Sequence, residues 1–405
     1  MSKPTSIALI REGKVPPDRR VVFTPLQSRE IKERFGIRVM VESSPIRCFQ
    51  DEEYAALGLD VLSFRPDADI YFGVKEVPID QLIEGKTYLF FSHTMKKQPY
   101  NRTLLRAILD KKIRLIDYEA LTDDLGKRVA AFGYYAGVVG AHNTIYTYGK
   151  RTGLIHLPRM KHLHDYAEAR DFYESVDMPP MRVVVTGTGR VGKGVVRVLK
   201  DMRLTEVSPE TFLKDEALPI SCFTVLSAEH YVRRKDGGAF ARSDFYEHPQ
   251  EFESAFWPYA VRANIFINAI LWKAEAPVFF TAEQMAEPGF RIRTIGDVTC
   301  DIAPVSSVPS TLRASSIEDP VYGYDPQTGQ EVKPYQPGVI DVMAIDNLPS
   351  ELPRDAATAF GAALLEYVLP DLLQDNPSPM IERATITRDG QLTPRFAYLQ
   401  DYVAD

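Results

Sequence analysis

Short apolar runs alternate with amphipathic stretches along the first 120 residues of the chain. Ile7 to Ile10 reads as a buried strand, and Pro25 to Phe35 as a helix with Pro25 suited to its first turn. Arg38 to Val41 is a second strand, followed by a short helix from Asp51 to Leu57. Ile70 to Val74, Tyr88 to Phe91 and Ile113 to Ile116 read as further strands, with a helix at Asn101 to Asp110 between the last two. Such alternation predicts a parallel sheet with helices on both faces. Ala131 to Tyr148, apolar and rich in Gly and Tyr, reads as a helix bridging to a second domain.

In that second part the strand pattern recurs at Met181 to Thr186, Ile220 to Leu226, Asn264 to Ile270, Arg291 to Ile295 and Val339 to Ile345. Glu229 to Tyr259 is longer than a minimal crossover needs. Asp319 to Pro337, with four prolines, reads as an irregular excursion, and Pro353 opens an amphipathic helix to about Leu373. The fold class is therefore α/β.

Gly187-Thr188-Gly189-Arg190-Val191-Gly192 fits G-x-G-x-x-G and lies between a strand and an apolar helix face at Val195 to Leu199. In that context the first glycine allows a tight turn, the second lets backbone approach a pyrophosphate, and the third lets helix and strand pack closely. A Gly-rich structural turn is the alternative reading.

Composition narrows the class. The 405 residues are 45% hydrophobic and 25% charged, as in a soluble globular protein, and suffice for two to three domains. A net charge of −7 gives no broad basic field for nucleic acid or anionic lipid. Cys48, Cys222 and Cys300 are scattered, which fits a reducing cytosol and argues against cysteine-ligated zinc. Met1 to Ser6 is polar, unlike a signal peptide, and Ala130 to Ala141 is too short to span a membrane. The expectation is a soluble, cytoplasmic protein. Lys161-His162-Leu163-His164-Asp165 looks like a metal cluster, but histidines two apart on a helix point apart, so no metal is expected.

Ligands of open α/β sheets bind beyond the carboxyl ends of the strands. Arg11, Lys14, Arg19 and Arg20 follow the first strand, Lys75 and Glu76 another, and Ser92, His93 and Lys96 a third. Asp117 and Glu119 follow the strand at Ile113 to Ile116, while Asp297 and Asp301, then Asp346 and Asn347, follow strands of the second half. This mixture suits a zwitterionic or dicarboxylate substrate and proton transfer during redox chemistry. Polar loop residues without a role are the alternative for any one of them.

Several of these residues lie in segments that resemble the lysine-forming saccharopine dehydrogenases (lysine–ketoglutarate reductases) of the alanine dehydrogenase and transhydrogenase superfamily. The segments include Arg20 to Pro25, Val41 to Pro45, Gly73 to Pro78, Phe91 to Lys96, Asp117 to Glu119 and Arg128 to Gly137. Gly296 to Asp301 and Asp346 to Arg354 follow in the same order. The resemblance implies two Rossmann-like, doubly wound parallel-sheet domains flanking a cleft, a substrate domain at 1–135 plus about 338–405 and a dinucleotide domain at 136–337. It implies Lys75 and His93 as acid–base groups. Arg20, Lys96, Glu119, Arg128 and Asp346 would then bind substrate, with Arg20 and Lys96 lowering the Lys75 pKa. Gly187, Gly189, Arg190, Val191, Gly192, Ser227 and Asp297 would serve the cofactor.

The implied reaction is an NAD(P)-dependent reductive condensation of an amino acid with a 2-oxo acid, with saccharopine from L-lysine and 2-oxoglutarate preferred. An amino-acid dehydrogenase using ammonia, and a catalytically silent nucleotide-binding regulator, are the alternatives. Homo-oligomerisation is compatible with either. Ser227 stands where NAD enzymes carry a ribose-binding acid, and Arg233, Arg234 and Lys235 follow, which leans toward NADP. Glu229 nearby and an insertion at Asp201 to Pro219 blur that register.

Overall fold

The computed structural model describes residues 5–214, 218–374 and 378–404. Parts of two segments read above, Met1 to Ser6 and Asp201 to Pro219, lie outside them. The chain forms two compact units, Met1–Phe132 with Pro353–Asp405, and Gly133–Leu352.

In the first unit six parallel strands run in the spatial order Asp60–Leu62, Arg38–Glu42, Ser6–Leu9, Ile70–Phe72, Thr87–Phe90 and Arg114–Asp117. Numbered along the chain that order is 3-2-1-4-5-6, with its switch point between Ser6–Leu9 and Ile70–Phe72. The sheet is not wholly parallel. Thr385–Arg388 adds antiparallel to Arg114–Asp117, and Gln391–Leu392 pairs antiparallel beyond it. The helix Pro25–Phe35 starts on a reciprocal cap between Thr24 and Gln27 and stops at Gly36, whose φ of 65° suits a residue without Cβ. The helix at Pro353–Ala363 brings Phe360 onto Phe132, with ring centroids 4.4 Å apart, and onto Phe91 and Tyr118.

The second unit has six parallel strands in the order Thr205–Glu206, Ser221–Leu226, Met181–Thr186, Ile265–Asn268, Thr294–Asp297 and Ile340–Met343. The strand expected at Val339 to Ile345 pairs with Thr294–Asp297, so the chain returns to the first unit at Pro353 instead of about 338. The Asp319 to Pro337 excursion contains an antiparallel hairpin, Tyr322–Asp325 with Gln330–Val332, that extends the same sheet. Its prolines flank the strands or sit in the turn, where no ladder donor is lost.

Glycine sets the helix packing of this unit. A Cβ on Gly137 would stand 1.9 Å from the Val191 carbonyl oxygen, and one on Gly194 would stand 2.1 Å from that of Tyr134. The helices Gly133–Thr152 and Arg190–Asp201 therefore touch backbone to backbone. His142, on the first of them, is a core histidine between Tyr173 and the Pro158 carbonyl, and burial takes its pKa down to about 4. Among the described residues no helix is long and apolar enough to cross a membrane.

Candidate functional site

Two clusters of candidate residues stand beside the switch points, one in each sheet. In the first unit the chain leaves Ser6–Leu9 through Glu12, Asp18 and Arg20, and leaves Ile70–Phe72 through Lys75 and Glu76. Glu12 joins the two loops, its carboxylate oxygens accepting from the backbone N–H of Val74 at 2.7 Å and of Lys75 at 2.8 Å. Asp18 accepts from Arg20 through Nε at 3.0 Å and Nη2 at 2.5 Å, and both side chains are almost wholly buried. The Arg20 guanidinium also lies 4.2 Å from the Phe132 ring centroid. A residue expected to grip substrate thus has a firm internal partner.

Burial, then the Arg20 and Lys14 charges, hold the Lys75 ammonium below its ordinary pKa, which favours the neutral amine a general base requires. The direction matches expectation. Lys14, however, takes the place given to Lys96, which is exposed. Burial and the neighbouring Asp18 carboxylate push Glu12 up to about 8, against the two N–H bonds it accepts.

His93 stands beyond Thr87–Phe90 with φ 51°, a conformation a residue with a Cβ adopts only where its surroundings enforce it. Its Nδ1 lies 2.7 Å from Glu76 Oε1, and Lys14 Nζ lies 3.0 Å from Glu76 Oε2. Burial works to raise the Glu76 carboxyl, but the His93 hydrogen bond and Lys14 help take it down to about 2. An ionised Glu76 fixes the orientation of the His93 ring. Ser92 is held by the buried Asp117, which accepts from its N–H at 2.9 Å and from its hydroxyl. Asn101 donates to the Ser92 carbonyl at 3.0 Å. Arg128 and Glu119 form an ion pair at 2.7 Å.

The second cluster surrounds the glycine fingerprint. Gly187 has φ 101°, and a Cβ there would stand 2.3 Å from the Ala269 carbonyl oxygen. A Cβ on Gly192 would stand 1.9 Å from the Gly187 carbonyl oxygen, whereas one on Gly189 would meet nothing within 4 Å. The first and third glycines are therefore required by the turn. The second opens onto a cavity of about 330 Å³, lined by Thr188, Ser227, Glu229, Ala269 and others. It precedes the helix Arg190–Asp201, whose first-turn N–H groups and dipole favour an anion. Arg190 and Val191 form the first turn of that helix. This is the form a pyrophosphate cradle takes, so the residues present fit a dinucleotide.

Ser227 caps the next short helix, its hydroxyl 2.8 Å from both Glu229 Oε1 and His230 Nδ1. The three cations that leaned toward NADP are engaged elsewhere. Arg233 pairs with Glu253, Arg234 with Asp236, Asp244 and Glu251, and Lys235 with the Gln250 carbonyl. Arg242 and Lys273 line the cavity instead.

Asp297 is wholly buried, accepting from Thr311 Oγ1 at 2.6 Å, Asn268 Nδ2 at 2.9 Å and the Cys300 N–H at 3.2 Å. Burial raises its pKa to about 6. It shapes the loop beyond its strand and does not face solvent as a cofactor ligand would. Asp346 is exposed at the end of Ile340–Met343. The exposed His164 sits 3.0 Å from Asp165, and among the described residues no three His, Cys, Asp or Glu are grouped to hold a metal.

Comparison with known proteins agrees with these features. The profile of the alanine dehydrogenase/PNT N-terminal domain matches residues 8–139. Rat mitochondrial alpha-aminoadipic semialdehyde synthase is 31% identical over 97% of this chain, which spans 47% of that protein. The saccharopine dehydrogenase [NAD(+), L-lysine-forming] of Yarrowia lipolytica is 27% identical over 95% of this chain and 96% of its own. Residues 8–139 thus carry the alanine dehydrogenase/PNT N-terminal domain, and along nearly its whole length the chain is similar to a saccharopine dehydrogenase. It covers about half the length of the rat semialdehyde synthase and nearly all of the Yarrowia lipolytica saccharopine dehydrogenase. The superfamily fold is also that of L-alanine dehydrogenase, matched with a TM-score of 0.66 over 98% of this chain and all of that one at 16% identity. Transhydrogenase from Sinorhizobium meliloti matches with a TM-score of 0.60 at 12% identity.

Glu12 and Asp18 were missed in the sequence. The loop after the first strand displays its cations, and only the fold shows which acids they neutralise.

Proposed function

We propose that the chain is an oxidoreductase that condenses the amine of L-lysine with 2-oxoglutarate and reduces the product to saccharopine. The observation that carries this reading is Lys75, with a depressed pKa, beside the Glu76–His93 pair next to the switch point of the first sheet. The amine adds to the keto carbon, water leaves to give an imine, and that imine is reduced. Lys75, as the neutral amine, takes the proton released when the substrate amine adds. His93, oriented by Glu76, delivers a proton to the departing oxygen. Arg128, Lys96 and Arg20 supply positive charge for the substrate carboxylates, and Glu119 supplies negative charge for an ammonium group. Bound nicotinamide dinucleotide supplies the hydride. Gly187, Gly189, Gly192 and the first turn at Arg190 and Val191 hold its diphosphate, and Asp297 keeps the neighbouring loop in place.

The dinucleotide we propose is NAD. Glu229, at the cavity wall and tied to Ser227, can accept ribose hydroxyl protons and repels a 2′-phosphate. NADP is the second reading, favoured by Arg242 and Lys273 in the same wall. A ratio of kcat/KM for NADH over NADPH above 10 supports the first, and a Glu229→Gln variant should lower that ratio. A ratio below 1 in the unaltered protein establishes the second.

A further inference from the structure

At the end of the second sheet opposite the glycine fingerprint lies a second cavity, lined by Arg182, Arg262, Arg291 and Arg293 together with Asn264 and Ile220. We propose that it is a binding site for a compact polyphosphate anion, separate from the dinucleotide cavity. Its frame is fixed by the amino ends of neighbouring strands. The Arg182 N–H donates to Asn264 Oδ1 at 2.7 Å, the Asn264 N–H donates to the Arg182 carbonyl at 3.0 Å, and the Arg293 N–H donates to the Asn264 carbonyl at 3.0 Å. The Arg291 N–H is held by the Ala260 carbonyl at 3.0 Å.

Arg262, Arg291 and Arg293 bring three guanidinium groups to this cavity, and an anion bound there would be held by charge-assisted hydrogen bonds from them. Among the described residues, the side-chain hydrogen bonds of Arg262 and Arg293 go to backbone carbonyls of Pro258 and Ile292 and not to carboxylates. The Nε of Arg262 is buried with no acceptor. Leaving a buried donor unmatched is costly, and a ligand oxygen would satisfy it. Arg293 is held below its ordinary pKa by burial and by the Arg151 charge, so an anion there would also relieve its electrostatic strain.

The cavity volume, about 740 Å³, admits more than one phosphoryl group. Guanidinium forks bind phosphate oxygens two at a time, which singles out a di- or triphosphate over a monovalent anion. The fingerprint lies at the carboxyl ends of the same strands, so occupancy of the two cavities need not compete.

The test is calorimetric titration of the full chain with tripolyphosphate in the presence of saturating NADH, which removes the fingerprint as a competing site. We expect saturable binding that the Arg262→Gln/Arg291→Gln double variant weakens at least about tenfold, the loss expected from removing charged hydrogen bonds. Arg291 is exposed, so Arg291→Gln alone provides a variant that keeps the fold and should weaken binding in the same direction. Absence of saturable binding under NADH, or equal affinity in these variants when their melting temperatures match that of the unaltered protein, would overturn the proposal.

Discussion

Lys75 illustrates how neighbours shift the protonation of a single side chain. Burial and the Arg20 and Lys14 charges lower its pKa, and Glu12 fixes its backbone. Lys75→Met keeps the bulk of the side chain and removes the proton acceptor. It should lower kcat by about 10²–10⁴, the range general acid–base groups contribute, with the dinucleotide Kd unchanged. Single-turnover kinetics beside a fluorescence titration checks both numbers, and unaltered kcat would remove Lys75 from the chemistry. Glu12 makes a separate prediction. Its carboxyl is held at about 8 against an ordinary 4.5, so the native state binds the proton more tightly than the unfolded chain. The resulting stabilisation is complete below pH 4.5, falls through the window from 4.5 to 8, and is gone above it. In Glu12→Gln that decline should vanish, and its melting temperature relative to the unaltered protein should rise between pH 5 and 8. Parallel melting curves across that window would contradict the assignment.

At the scale of elements, backbone contact between the helices Gly133–Thr152 and Arg190–Asp201 depends on Gly137 and Gly194. Gly137→Ala should force the helices apart at a cost of about 1–3 kcal/mol, an overpacking penalty. Differential scanning calorimetry should show the corresponding fall of about 2–10 °C in this unit, and an unchanged transition would show that the contact can relax. The elements most legible in the sequence were those with strong local signals. Pro25 to Phe35 carries its own caps, and Met181 to Thr186 runs directly into the fingerprint. Tyr322–Asp325 and Gln330–Val332 were hidden because the prolines around them signal irregularity while the pairing partner, Ile340–Met343, lies downstream. Asp297 looked like a rim acid, since a carboxylate at a strand end is normally exposed. Its burial is set by Thr311 and Asn268, which no local pattern links to it. The same reason explains Arg233, Arg234 and Lys235, whose carboxylate and carbonyl partners are scattered across the hairpin and helix around them.

Across the whole molecule, two open α/β sheets each place a distinctive cluster beside a reversal of strand order. In one it is Lys75, Glu76 and His93, and in the other Gly187, Gly189 and Gly192. Ligand chemistry concentrates at such points because adjacent loops there diverge to opposite faces of the sheet and leave a crevice. Acid–base groups in one unit and a diphosphate cradle in the other are the two components that reductive amine chemistry needs. Steady-state NADH oxidation with L-lysine and 2-oxoglutarate, alone and combined, shows whether the amine and the oxo acid react together. Turnover is expected only with the pair, with saccharopine accumulating in proportion to NADH consumed. Turnover with ammonium and a 2-oxo acid at an equal or greater rate, or none with the pair under either dinucleotide, would contradict this expectation.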